Sequence, residues 1–243
     1  CSFFILFINI ICVKFINKVI FFHHIYMHST IQNLLDIETN IKNHLNKINI
    51  HKNPKIVAVS KTFKIDKILP LIEYGHIDYG ENKVQEAVEK WREIKKKNSK
   101  IKLHMIGKLQ TNKVKFAVSL FDYIHSVDSE KLAKKIADEQ NKINKKIKVF
   151  LQINIGDEDQ KSGIKKAEAN QMIAYCKEIG LDLIGLMCIP PFDDNAKKYF
   201  DKLRSLRDKL NPNLKLSMGM SGDYKISLEC GSNLIRIGSK IFS

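Results

Sequence analysis

From residue 29 onward the chain alternates between short apolar runs and amphipathic stretches. The runs are Ile56 to Ser60, Ile77 to Gly80, Leu103 to Gly107, Tyr123 to Val127, Val149 to Ile155, Leu183 to Ile189, Leu214 to Met218 and Leu234 to Ile237. Their length and β-branched content suit buried strands. The stretches between them are Ile65 to Tyr74, Lys83 to Ile94, Asn112 to Leu120, Ser129 to Asn141, Lys166 to Ile179, Asn195 to Leu210 and Asp223 to Glu229. Each repeats its apolar positions near helical period. A further helix precedes the first run, capped by Ser29 or Thr30, with Ile31, Leu34, Leu35, Ile41, Leu45 and Ile48 on one face. Gly180 follows Ile179 as a helix stop. Eight strands alternating with helices predict one (β/α)₈ barrel over residues 27–243, because closing a parallel sheet takes about eight strands.

Residues 1–26 break this rhythm. Cys1 to Val13 is nearly all apolar, followed by Lys14, Lys18 and a second patch, Val19 to Phe22. The first patch is too short to span a bilayer. The segment reads as an atypical hydrophobic leader, either upstream sequence or a targeting segment, with Met27 the expected start.

Composition changes the picture little. Hydrophobic residues make up 44% of 243, enough for a sizeable core. The net charge of +15 would permit nucleic-acid binding. The lysines are spread along the whole chain, however, and no basic stretch interleaves with exposed aromatics, so neither nucleic acid nor a stable membrane contact is expected. Cys1, Cys12, Cys176, Cys188 and Cys230 are odd in number and lack a CxxC pair. That pattern fits a reducing, cytoplasmic setting, or an organelle if the leader is genuine, and argues against a zinc site. His104, inside an apolar run, reads as a satisfied core histidine.

In a barrel of this kind function gathers where strands exit at the carboxyl end. The first run ends at Lys61, which can form an imine if partly desolvated. The last two runs lead into Ser217-Met218-Gly219-Met220-Ser221-Gly222-Asp223 and Arg236-Ile237-Gly238-Ser239. Glycines that let backbone approach an anion, together with serine hydroxyls, make phosphate loops.

Several motifs occur in order at compatible spacing: Ala58-Val59-Ser60-Lys61-Thr62, Gly80-Glu81-Asn82, His104-Met105-Ile106-Gly107-Lys108-Leu109-Gln110-Thr111-Asn112-Lys113, Lys161-Ser162-Gly163, Gly185-Leu186-Met187, Ser217-Met218-Gly219-Met220-Ser221 and Arg236-Ile237-Gly238. With them the chain resembles the pyridoxal phosphate homeostasis proteins, whose barrel is that of the amino-terminal domain of alanine racemase. The resemblance runs from about Met27 to Phe242. It implies a cofactor, pyridoxal 5'-phosphate, joined to Lys61 as a Schiff base. It places Asn82 near the ring hydroxyl, Ser221, Gly222, Gly238 and Ser239 on the phosphate, and Arg236 against the pyridine nitrogen.

The same resemblance implies a reversible carrier or reservoir that supplies apo-enzymes, rather than an established catalyst; a monomer is expected. A weak amino-acid racemase is the alternative. The racemases add a carboxyl-terminal domain bearing a catalytic tyrosine, for which no counterpart is expected here, and Tyr79 and Tyr224 are expected to pack. Asn233, Ser239 and Ser243 depart from residues common in the family; Ser239 keeps a hydroxyl for phosphate.

Overall fold

The computed structural model describes residues 28–243, apart from 159, 161 and 194. The leader, and Lys161 of the Lys161-Ser162-Gly163 motif, lie outside the described residues. Eight strands run parallel in chain order: β1 (Lys55–Val59), β2 (Asp78–Glu81), β3 (Lys102–Met105), β4 (Tyr123–Val127), β5 (Lys148–Gln152), β6 (Asp182–Met187), β7 (Lys215–Met220) and β8 (Leu234–Ile237). They form a closed barrel, with β1 paired to both β2 and β8. The expected (β/α)₈ architecture is therefore the one observed.

The helices follow the amphipathic stretches. They are α1 (Ser29–Lys47), α2 (Ile65–Tyr74), α3 (Val84–Lys97), α4 (Val114–Leu120), α5 (Glu130–Lys142), α6 (Ala169–Glu178), α7 (Ala196–Leu210), α8 (Tyr224–Glu229) and α9 (Ser239–Phe242). Ser129 caps α5, its hydroxyl accepting from the Leu132 amide. Gly180, at φ 74°, turns the chain after α6 as expected. The cap of α1 corrects the sequence reading. Ser29 and Thr30 both lie inside the helix, and His28 caps it by accepting the Thr30 amide on Nδ1. A histidine ring with a free nitrogen can fill that role as a serine hydroxyl does.

Strand alternation sets two cores. One face of each strand turns inward, where Val57, Phe150, Met187 and Leu234 form a buried cluster. A Cβ on Gly80 would lie 3.0 Å from Val57 Cγ1 and 3.5 Å from Val59 Cγ2, so these positions share the inward face. The opposite face meets the helices. There Tyr79 packs on Trp91 of α3 with ring centroids 4.7 Å apart, both side chains fully buried. Removing so large a buried ring as Trp91 costs about 3–5 kcal/mol. The period-two rule then predicts the mouth: Lys61 continues the inward series Val57, Val59, and Asn82 continues from Gly80.

Candidate functional site at the barrel mouth

The expected site residues sit on four adjacent strand exits, in the order β7, β8, β1, β2. Pairing of β1 with β8 sets their heights. Arg236 is level with Val57 inside the barrel, and Gly238 lies over Val59, where a Cβ would come 3.3 Å from the Val59 carbonyl. Lys61 follows β1 after Ser60, and Asn82 follows β2 directly.

Ser221 joins the β7 and β8 exits. Its Oγ accepts from the Gly238 amide at 3.4 Å and lies 3.4 Å from Ser239 Oγ. Gly219 makes this possible. Its φ of +94° is left-handed, and a Cβ there would sit 2.0 Å from Ser227 Oγ. Asp223 braces the same turn, its Oδ1 accepting from the Met220 amide at 2.6 Å. Gly222 lies exposed at the rim, and a Cβ on it would meet open space.

Arg236 is 4% exposed, yet no carboxylate touches it among the described residues. Its Nη1–H donates to Ser217 Oγ at 2.7 Å and its Nη2–H to the Cys188 carbonyl at 3.0 Å. Burial draws the guanidinium below its ordinary value, and the nearby Cys188 and Asp223 only partly offset this. It stays a cation whose protein partners are neutral oxygens.

Lys61 departs from expectation. Its side chain is exposed rather than partly desolvated, because it lies beyond the last buried residue of β1. The buried anchor is its neighbour. Ser60 is fully buried, and its hydroxyl donates to Glu81 Oε1 at 2.7 Å. The same carboxylate oxygen accepts from Lys90 Nζ at 3.0 Å and from Trp91 Nε1 at 2.8 Å, and Lys90 also donates to the Ser60 carbonyl. These contacts hold the backbone that carries Lys61. Thr62, next along, takes a left-handed φ of 65° within the turn that follows β1.

Sequence reasoning missed Ser217 and Glu81 as supports. The available signal was a polar residue at a strand position that alternation marks as buried. Tyr79 and Tyr224 do pack, both buried. His104 is fully buried with both ring nitrogens in hydrogen bonds, as a satisfied core histidine should be.

A parallel barrel with a lysine, a buried arginine and a serine-glycine loop at one mouth defines a class. Residues 33–243 match the alanine racemase, N-terminal domain, family, and the chain belongs to it. An alanine racemase from Clostridium difficile shares the fold at 18% identity and TM-score 0.65, covering 88% of this chain and 56% of its own.

Within that class the chain is a member of the pyridoxal phosphate homeostasis proteins. The one from Pasteurella multocida is 38% identical over 225 residues, covering 87% of this chain and 95% of its own. The structure of PipY from Synechococcus elongatus with PLP bound matches at TM-score 0.71 and 30% identity, covering 84% of this chain and all of its own.

Proposed function

We propose that this protein holds pyridoxal 5'-phosphate reversibly at the barrel mouth and so keeps the free aldehyde low, as a homeostasis protein. The residues present fit that group. A buried guanidinium with only neutral partners suits a ring nitrogen that accepts a hydrogen bond without itself carrying charge. The convergence of the Ser221 and Ser239 hydroxyls with the Gly238 amide suits a phosphate. The observation that carries the reading is that these groups and Lys61 lie at the exits of three neighbouring strands, β7, β8 and β1, of one mouth, with Asn82 at the exit of β2 beside them.

In this reading Lys61 is the covalent anchor, Asn82 orients the ring hydroxyl, and Ser221, Gly238 and Ser239 hold the phosphate with Gly222 at the rim. When bound, the cofactor supplies an aldehyde that condenses reversibly with a primary amine and a ring that draws electrons from it. Arg236 keeps its own proton and donates a hydrogen bond, so it gives the ring nitrogen no full positive charge. That favours holding over turnover. Lys61 stands in water, where an incoming amine can reach it, which favours exchange with apo-enzymes over sequestration.

The free, buried thiols of Cys176, Cys188 and Cys230 support a reducing compartment, and we place the protein in the cytoplasm. Among the described residues no helix is long and apolar enough to cross a membrane. One copy of the chain carries the full set of site residues, which supports a monomer.

The test is borohydride reduction of the cofactor-loaded protein followed by peptide mass spectrometry. The adduct is expected on Lys61; one on another lysine would sink the assignment. Amino-acid racemisation by the loaded protein would replace the carrier reading with that of a weak racemase.

A further inference from the structure

Arg236 ends a string of buried polar groups that crosses the barrel interior. From the floor upward, Lys55 Nζ donates to Asp78 Oδ2 at 2.8 Å, and Asp78 Oδ1 lies 2.9 Å from His104 Nε2. His104 Nδ1 lies 2.9 Å from His125 Nε2, and His125 Nδ1 lies 2.9 Å from Ser217 Oγ. Ser217 then accepts from Arg236. His104, His125 and Ser217 are fully buried, and Asp78 is 5% exposed. An apolar barrel core has no need of such a string, since each buried polar group costs free energy unless satisfied.

The direction of every hydrogen bond follows from the chemistry of its ends. Burial alone would raise the Asp78 carboxyl, but the hydrogen bonds from His104 and Lys55 outweigh it and hold the group below its ordinary value. Asp78 is therefore ionised and can only accept, so His104 carries its proton on Nε2. Burial lowers both histidines, His125 further because His104 and Arg236 lie close, so each ring is neutral with a single N–H. His104 Nδ1 must then accept, His125 Nε2 must donate, and His125 Nδ1 must accept in turn. Only the Ser217 hydroxyl is left to supply that proton, which leaves its lone pairs for Arg236. Every link donates toward Asp78. The rings are also fixed in plane, His104 stacked on Tyr123 at 4.2 Å and His125 on Phe150 at 4.3 Å.

We propose that Asp78, His104, His125 and Ser217 are positioning residues for Arg236, the ionised Asp78 setting the direction of the string. Asp78 is the negative end of a polarised string whose positive end is the guanidinium, and Lys55 closes it toward solvent at the floor. The string fixes one side of the guanidinium fork, so its remaining N–H groups keep a constant direction. This inference rests on the cofactor reading above for its consequence, but not for the string itself.

Two measurements test it. Long-range ¹⁵N NMR on the unloaded protein near neutral pH should show His104 and His125 both neutral and protonated on Nε2. A proton on Nδ1 of either ring, or an imidazolium, would overturn the direction. In the second, Asp78→Asn removes the charge at the floor without changing shape. The loaded variant should retain pyridoxal phosphate roughly tenfold less well, the equivalent of one charge-assisted hydrogen bond. Its visible band should shift while borohydride still traps Lys61. Wild-type retention with an unshifted band would overturn the proposal. If Asp78→Asn does not fold, Ser217→Ala cuts the link beside Arg236 and must show the same two changes. Failure of the cofactor reading itself would appear separately, as a wild-type protein giving no Lys61 adduct, and the NMR result would still decide the string.

Discussion

The hydroxyl of Ser60 donates to Oε1 of Glu81 at 2.7 Å, and both residues are fully buried. This single contact ties the end of β1 to the end of β2, directly beneath Lys61 and Asn82. Lys90 and Trp91 converge on the same oxygen from α3, so a helix on the outer layer helps set the height of a residue at the mouth.

Glu81→Ala would leave the Ser60 hydroxyl, the Trp91 indole N–H and the Lys90 ammonium without their shared acceptor. We expect a loss of roughly 3–5 kcal/mol, since one partner of a buried charged pair is removed. Glu81→Gln, which keeps an oxygen in place, should lose clearly less. Urea unfolding of both variants measures the difference, and equal losses would show that the shared oxygen is not the cause.

Lys61→Ala should abolish the borohydride-trapped adduct while changing stability by no more than about 0.5 kcal/mol, because the side chain is exposed. Mass spectrometry and thermal unfolding on the same preparation check both halves. A large drop in stability would mean that the lysine is part of the fold rather than of the site.

The two glycines of the β7 exit should separate. Gly219→Ala forces a side chain into a left-handed backbone and onto Ser227 Oγ, and should cost roughly 3 kcal/mol or prevent folding. Gly222→Ala meets open space and should leave stability within about 0.5 kcal/mol. Any loss of cofactor retention in Gly222→Ala therefore reports on phosphate contact alone.

Stability should fall on acidification below about pH 6.5. Burial lowers His76, His104 and His125 in the folded state, so between the folded and unfolded values the unfolded chain binds more protons. Stability then decreases as pH falls, by up to about 1.4 kcal/mol per pH unit for each group. Asp78, held low when folded, acts in the same sense at lower pH: its contribution is complete above its unfolded value and is lost as pH falls through the folded one. Urea titrations at about pH 7.5 and about pH 5.5 check this, and a flat profile would contradict the neutral buried rings.

The barrel was legible because each strand is a short apolar run and each helix repeats near its own period; β4 and β8 begin and end where the pattern places them. Helix ends were less legible. His28 rather than Ser29 caps α1, since several side chains with a free acceptor compete for one backbone amide. At the mouth, motif order points to Lys61, Asn82, Ser221, Gly222, Arg236, Gly238 and Ser239 as the site we propose, and the strand order places them at one end. Their supports could not be found that way. Glu81 faces outward to Trp91, and His125 touches Ser217 across 92 residues of sequence, a pairing that only barrel closure creates.

Closure itself has a consequence for synthesis and unfolding. The proposed anchors follow the first two and last two strands of the barrel, astride the β1–β8 seam, so they come together only when β8 has zipped onto β1. A molecule bridging that seam would act as a clasp between the first and last strands of the barrel. Its departure should loosen the ring first along that join, and amide exchange in β8 would be the earliest to quicken.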